Sequence, residues 1–267
     1  MISSANFKVN LGLYVTEKRP DGFHNLETIF VPVDAITDTL TILPKSGTVE
    51  FEMTGGDFVV DADKNLCVRA FKLLQQEFDL PGVAIHLEKN IPSGAGLGGG
   101  SSDAACVLRM TDELFGLQLP IEQLSAVAAK LGSDVPFFLH NRPQYATGRG
   151  EILQDVSLDL SKWTISVFKP DFSISTAEAY SHIKPLSGRP HLHQLLEEPV
   201  EKWQSLFPND FEAALFPLYP ILAEMKAQFY QLGAVYASLS GSGSALFALA
   251  PHPINLEPYF PGKNVAL

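Results

Sequence analysis

Along residues 5–15 the side chains alternate with period two. Ala5, Phe7, Val9, Leu11 and Leu13 fall on one face, and Asn6, Lys8, Asn10 and Gly12 on the other, which predicts a strand with one apolar side. A second alternation, Val83, Ile85 and Leu87 against Ala84, His86 and Glu88, predicts a half-buried strand. Beyond it Ala104, Val107, Leu108, Leu114 and Phe115 recur at helical spacing. Further helices are predicted over 65–74, with Leu66, Ala70, Leu73 and Leu74 inward, over 121–131 ending at Gly132, and along Ile221, Leu222, Met225, Phe229 and Leu232 up to Gly233. Strand-like runs cover 29–42 (broken by Asp34 and Asp38), 51–60 (with a Gly55-Gly56 turn), 163–169, 235–239 and 246–249. The periodicities alone give a mixed α and β chain.

Between the second strand and its helix lies Ile91-Pro92-Ser93-Gly94-Ala95-Gly96-Leu97-Gly98-Gly99-Gly100-Ser101-Ser102. Glycines reach positive φ and let backbone N–H groups approach a ligand closely, and the helix start adds unpaired donors and partial positive charge, a setting for phosphate. A flexible loop whose serines only cap the helix is the plainer alternative. Gly94-x-Gly96-x-x-Gly99 formally matches the dinucleotide fingerprint, but Asp112 and Glu113 lie inside the helical run and not at a strand end. No Gly-Lys-Ser/Thr follows, which excludes a Walker A loop.

Composition narrows the classes. The chain has 267 residues, 46% hydrophobic and 18% charged, which is globular and long enough for one large or two ordinary domains. A formal net charge of −11 argues against nucleic acid or an anionic membrane as main partner, while leaving room for one anion in a local pocket. Two cysteines, Cys67 and Cys106, each in a helical pattern, argue against a disulfide framework. No apolar signal core or bilayer-length run is present, so a cytoplasmic location is expected. His191 and His193 lack a third ligand nearby, and no metal site is expected there.

Several short stretches carry chemistry with two readings each. Lys8 between Asn6 and Asn10 is an ordinary solvent-facing lysine or an anion site. Arg19-Pro20-Asp21-Gly22-Phe23-His24-Asn25-Leu26-Glu27-Thr28 contains a turn signal, followed directly by an aromatic ring and a histidine. Asn65 caps a helix or meets a ligand; Lys89 is an exposed strand-end lysine or a second charge on a nucleotide. Asp134 caps a turn, or, ahead of the apolar run 135–139, it is a partly buried carboxylate with a task. Tyr180 is a helix-core aromatic or a binding residue.

Pro92-x-x-x-Gly96-Leu97-x-x-x-Ser101-Ser102-x-Ala104-Ala105 resembles the phosphate loop of the GHMP small-molecule kinases. The resemblance extends to Gly132-Ser133-Asp134, the 170–180 stretch, Asn209-Asp210-Phe211-Glu212 and Ser240-Gly241-Ser242-Gly243. It implies an α+β fold of two domains: 1–152 resembling ribosomal protein S5 domain 2 and binding ATP, and 153–267 ferredoxin-like, with the substrate cleft between them. The implied ATP site is Asn65, Lys89, Pro92, Ser93, Gly94, Ala95, Gly96, Leu97, Gly98, Gly99, Gly100, Ser101 and Ser102, with ATP accompanied by Mg²⁺. The implied catalytic base is Asp134, with Lys8 beside it. The 19–28 loop resembles the branch whose acceptor carries cytidine diphosphate, which implies substrate contacts from Asn10, Phe23, His24, Thr176 and Tyr180. That branch usually has Tyr at the position of Phe23, Gly at Asp171 and Pro at Ser175. Homoserine and mevalonate kinases are disfavoured by this loop, and a non-catalytic nucleotide regulator by the joint presence of Lys8 and Asp134.

Overall fold

The structure, a computed structural model, describes residues 1–56, 61–261 and 265–266. The last part of the predicted 51–60 segment, 57–60, lies outside the described residues. The chain resolves into two compact units, one of residues 1–7, 34–93 and 98–142, the other of 8–33, 94–97 and 143–267. Strands β1 (Ile2–Lys18) and β2 (His24–Pro44) contribute residues to both.

In the first unit β3 (Glu50–Gly55) runs parallel to β4 (Val83–Lys89), and β4 pairs antiparallel with Thr39–Pro44 of β2. Helix α1 (Leu66–Phe78) packs on α2 (Gly99–Phe115), and α2 on α3 (Ile121–Ala129) and α4 (Val135–His140). The inward face of α1 is Cys67, Val68, Ala70, Phe71 and Leu74; Leu66 and Leu73 are half-buried, so the predicted face is rotated. Phe71, Phe137 and Phe138 are buried, each contributing roughly 1.5–3 kcal/mol. The run 135–139 forms α4 and lies wholly in the interior, with Pro136 in its first turn, where a missing N–H costs nothing.

In the second unit the start of β2 pairs antiparallel with β5 (Gln144–Thr147), and β5 with β6 (Ile152–Asp155). A second sheet joins β7 (Thr164–Lys169), β8 (Tyr236–Leu239), β9 (Leu246–Ala250) and β10 (Val265–Ala266) in the order β10-β7-β9-β8, all antiparallel. Helix α5 is Thr176–Ser181, α6 Trp203–Leu206, α7 Asp210–Leu215 and α8 Pro220–Gln231. Leu222, Met225 and Phe229 of α8 join Phe211, Leu239 and Leu246 in this unit's core.

Two strand expectations change. Asp34 and Asp38 do not break β2, which runs through both. The polar side of β1 is not a solvent face either: Asn6, Lys8 and Asn10 are all buried. Among the described residues no helix is long and apolar enough to cross a membrane.

Candidate active site

Gly94, Gly96 and Gly98 have φ of +64°, +77° and +74°, while Ala95 and Leu97 between them do not take positive φ. Such alternation is the backbone pattern that can turn successive N–H groups toward one side as a concavity for an anion. Gly98 is the cap residue of α2 and supplies no side-chain acceptor; its carbonyl accepts from the Ser101 and Ser102 amides. The 17-residue helix thus begins with donors and dipole available to an anion.

Lys89 is buried at the end of β4, which corrects its reading as an exposed strand-end lysine. Its ammonium pairs with Asp38 and, at 2.9 Å, with Asp103. Burial pulls its pKa down, but the charges of Asp103 and Asp38 outweigh that and hold it above the ordinary lysine range. The Asp103 pKa is also raised, to about 8: burial lifts it, Lys89 opposes the rise and Asp38 adds to it. Asp38 also accepts the Asn90 and Ile91 amides at 2.6 and 2.7 Å, fixing the backbone that enters the glycine loop. Asn65 caps α1, accepting the Cys67 amide at 2.8 Å. Asn65, Lys89, Ser93 and Gly100 also line one cavity of about 180 Å³, together with Met53, Leu66 and Asp103. Four residues expected at ATP therefore meet around a single opening.

In the second unit the Lys8 ammonium donates to Asn10 Oδ1 at 2.6 Å and to the Gly96 carbonyl at 2.7 Å. It lies 5.3 Å from the centre of the Phe30 ring. Asn10 donates to Thr28 Oγ1 at 3.0 Å, and the Thr28 hydroxyl donates to the Gly12 carbonyl. A backbone bond from the Lys8 amide to the Leu97 carbonyl, 2.9 Å, ties β1 to the glycine loop. The Ser240–Ala245 turn closes on the same segment: Ser240 Oγ donates to the Gly96 carbonyl at 3.0 Å and the Ala245 amide to the Ala95 carbonyl at 3.1 Å. Asn209, whose importance the sequence motif only hinted at, holds that turn by donating to the Leu239 and Gly241 carbonyls, both at 2.9 Å. A Cβ on Gly96 would lie 2.0 Å from the Ser240 carbonyl oxygen, so only glycine fits.

Asp134 immediately precedes α4 and is half-buried; its side chain makes no capping bond to that helix.

The 19–28 loop is braced by Asp21, whose carboxylate takes Arg19 Nε and Nη2 and the Phe23 amide. His24 and Tyr180 stack with ring centres 4.8 Å apart, and Tyr180 meets Phe211 edge-on at 4.9 Å. Phe23 instead points outward, 55% exposed, under the Arg149 guanidinium. Burial first, then the charge of Lys18, lowers the His24 pKa below 6.5, leaving a neutral ring that both donates and accepts at pH 7. Thr176 opens α5 and is exposed, and Ser175 caps that helix through the Glu178 amide at 3.1 Å. Among the described residues no group of three or more His, Cys, Asp or Glu is placed to hold a metal.

The family model described as GHMP kinases N terminal domain matches residues 65–142, and that described as GHMP kinases C terminal matches 191–257. A 4-diphosphocytidyl-2-C-methyl-D-erythritol kinase of Bacteroides fragilis is 46% identical over 93% of this chain and 92% of its own. The enzyme of that name from Chlorobium chlorochromatii is 44% identical over 93% and 88%. A crystal structure of a 4-(cytidine 5'-diphospho)-2C-methyl-D-erythritol kinase superposes with TM-score 0.79 at 37% identity, covering 94% of this chain and 90% of that one. The homoserine kinase of Cytophaga hutchinsonii, at TM-score 0.69 and 19% identity over 93% and 85%, shares the fold.

Proposed function

The chain belongs to the 4-diphosphocytidyl-2-C-methyl-D-erythritol kinases of the GHMP kinase family, and from that membership we propose that Asp134 and Lys8 carry its phosphoryl transfer. The enzyme phosphorylates 4-diphosphocytidyl-2-C-methyl-D-erythritol with ATP, a step of the methylerythritol phosphate route to isoprenoid precursors. The acceptor oxygen in our reading is the 2-hydroxyl. Its proton passes to the Asp134 carboxylate as the oxygen attacks the γ-phosphorus, and the bond to the β-phosphate oxygen breaks to release ADP. Phosphoryl transfer of this kind depends on positioning and on neutralised charge. Lys8 stabilises the phosphoryl oxygens, and the Gly94–Ser102 loop holds the phosphates through its amides.

The observation that carries this reading is the buried Lys8 ammonium bound to the Gly96 carbonyl. It places a fixed cation against the glycine loop within one unit, where a surface lysine would be mobile and screened. The adenine is assigned to the cavity lined by Asn65 and Lys89, with Pro92 and Ser93 at the entry to the loop. Phe23, His24, Thr176, Tyr180 and Asn10 are assigned to the acceptor, and the division into domains 1–152 and 153–267 stands as part of the proposal. Mg²⁺ bound with the ATP phosphates would neutralise their charge and would need at most one or two protein oxygens beside them. A cytoplasmic location is supported by two cysteines that are both buried and free.

Asp134→Asn tests the base. It is expected to lower kcat by about 10²–10⁴-fold, the range for a lost general base, with KM for both substrates little changed. Lys8→Met in the same chain is expected to add less than its single loss, because the two residues act as a unit. An Asp134→Asn enzyme that is folded and keeps most of its kcat refutes the base assignment.

A further inference from the structure

Phe23 sits on a turn whose backbone is tightly held while its ring is open. The Arg19 amide donates to the Phe23 carbonyl at 2.8 Å, the Gly22 amide to the Arg19 carbonyl at 3.1 Å, and the Phe23 amide to Asp21 Oδ1 at 3.1 Å. A ring 55% exposed on such a turn has alternative rotamers open to it, and a platform for a planar ligand needs one. The Arg149 guanidinium carbon lies 5.0 Å from the centre of the Phe23 ring, inside the cation–π range of about 6 Å. Arg149 is itself anchored: its amide donates to Glu151 Oε2 at 2.6 Å, and its Nε is 3.6 Å from Glu151 Oε1. The neighbouring Gly148 carbonyl accepts the Leu26 amide at 2.7 Å, which ties the 147–151 turn to the loop that carries Phe23.

We propose that Arg149 is a positioning residue for base recognition: its guanidinium covers one face of the Phe23 ring and holds the other as the platform on which the pyrimidine of the acceptor stacks. The role rests on the reading of Phe23 as the base-stacking residue. Arg149 acts through the ring, and its effect on the acceptor disappears when the ring does. At this exposed site a cation–π contact corresponds to about a 2–5-fold change in affinity.

The test is steady-state kinetics of Arg149→Met, Arg149→Lys, Phe23→Leu and the Arg149→Met/Phe23→Leu double variant, with ATP and 4-diphosphocytidyl-2-C-methyl-D-erythritol. The Arg149 side chain is 37% exposed, so its variants are expected to melt with the parent. Arg149→Met is expected to raise acceptor KM by about 2–5-fold with kcat and the KM for ATP unchanged, Arg149→Lys to recover most of that rise, and the double variant to match Phe23→Leu. Arg149→Met without effect overturns the proposal. So does an equal rise in the Phe23→Leu background, which would mean that Arg149 meets the acceptor directly. Phe23→Leu with unchanged acceptor KM overturns the reading of Phe23 as well.

Discussion

Replacing Asp38 tests how the charged core of the first unit supports nucleotide binding. Asp38 is fully buried; Oδ1 accepts two backbone amides, Asn90 and Ile91, and Oδ2 pairs with the Lys89 ammonium. Asp38→Asn keeps the shape and one acceptor but leaves Lys89 with Asp103 alone, and breaking a buried pair costs about 3–5 kcal/mol. Asp38→Ala also orphans both amides, at about 1–3 kcal/mol each before water enters the vacated space, for a total of about 5–11 kcal/mol. Since a domain has only about 5–15 kcal/mol in hand, the Ala variant is expected to be marginal and the Asn variant folded but weakened. Asn90 and Ile91 lead directly into Pro92, so the Asn variant is also expected to raise the KM for ATP and leave that for the acceptor alone. The assay is urea denaturation followed by circular dichroism, alongside kinetics with each substrate varied. An Asp38→Asn protein within about 1 kcal/mol of the parent, at unchanged denaturant slope, would refute the reasoning.

Gly96→Ala is expected to abolish ATP binding measured by calorimetry, because its Cβ would strike the Ser240 carbonyl at 2.0 Å. Gly94→Ala, whose nearest neighbours are Ser173 side-chain atoms at 3.7 Å, is expected to bind ATP with reduced affinity. Equal loss in the two variants contradicts this. Because the His24 pKa lies below 6.5, the neutral ring prevails above that pH and protonation removes its acceptor only below it. Acceptor KM is therefore expected to be flat from pH 6.5 to 8 and to rise on acidification, and a change confined to the alkaline side speaks against His24 as the base reader.

The glycine loop, β1 and the helices behind them were legible because periodicity reports which residues share a face. It does not report what covers the other face. Asn6, Lys8 and Asn10 leave a solvent face and an anion site equally open in the sequence; they are buried and satisfied by Asp34, by the Gly96 carbonyl and by Thr28. Asp34 and Asp38 looked like strand breakers for the same reason: the lone sequence shows a charge but not its distant partner. One signal was available. Lys89 continues the apolar face of Val83, Ile85 and Leu87 at period two, so a buried counter-charge was required, and Asp38 and Asp103 supply it. The contact of Arg149 with Phe23 joins residues far apart in the chain and left no pattern to read.

The activity of this chain is transfer of the γ-phosphoryl group of ATP to an acceptor bearing cytidine diphosphate. Its most direct test is ADP release with ATP and Mg²⁺, comparing 4-diphosphocytidyl-2-C-methyl-D-erythritol with free methylerythritol, homoserine, mevalonate and galactose at matched concentrations. Acceptor-dependent ADP release with the cytidine compound, and far less with the other four, is the predicted result. Equal turnover of methylerythritol, or preference for homoserine or mevalonate, would contradict the account.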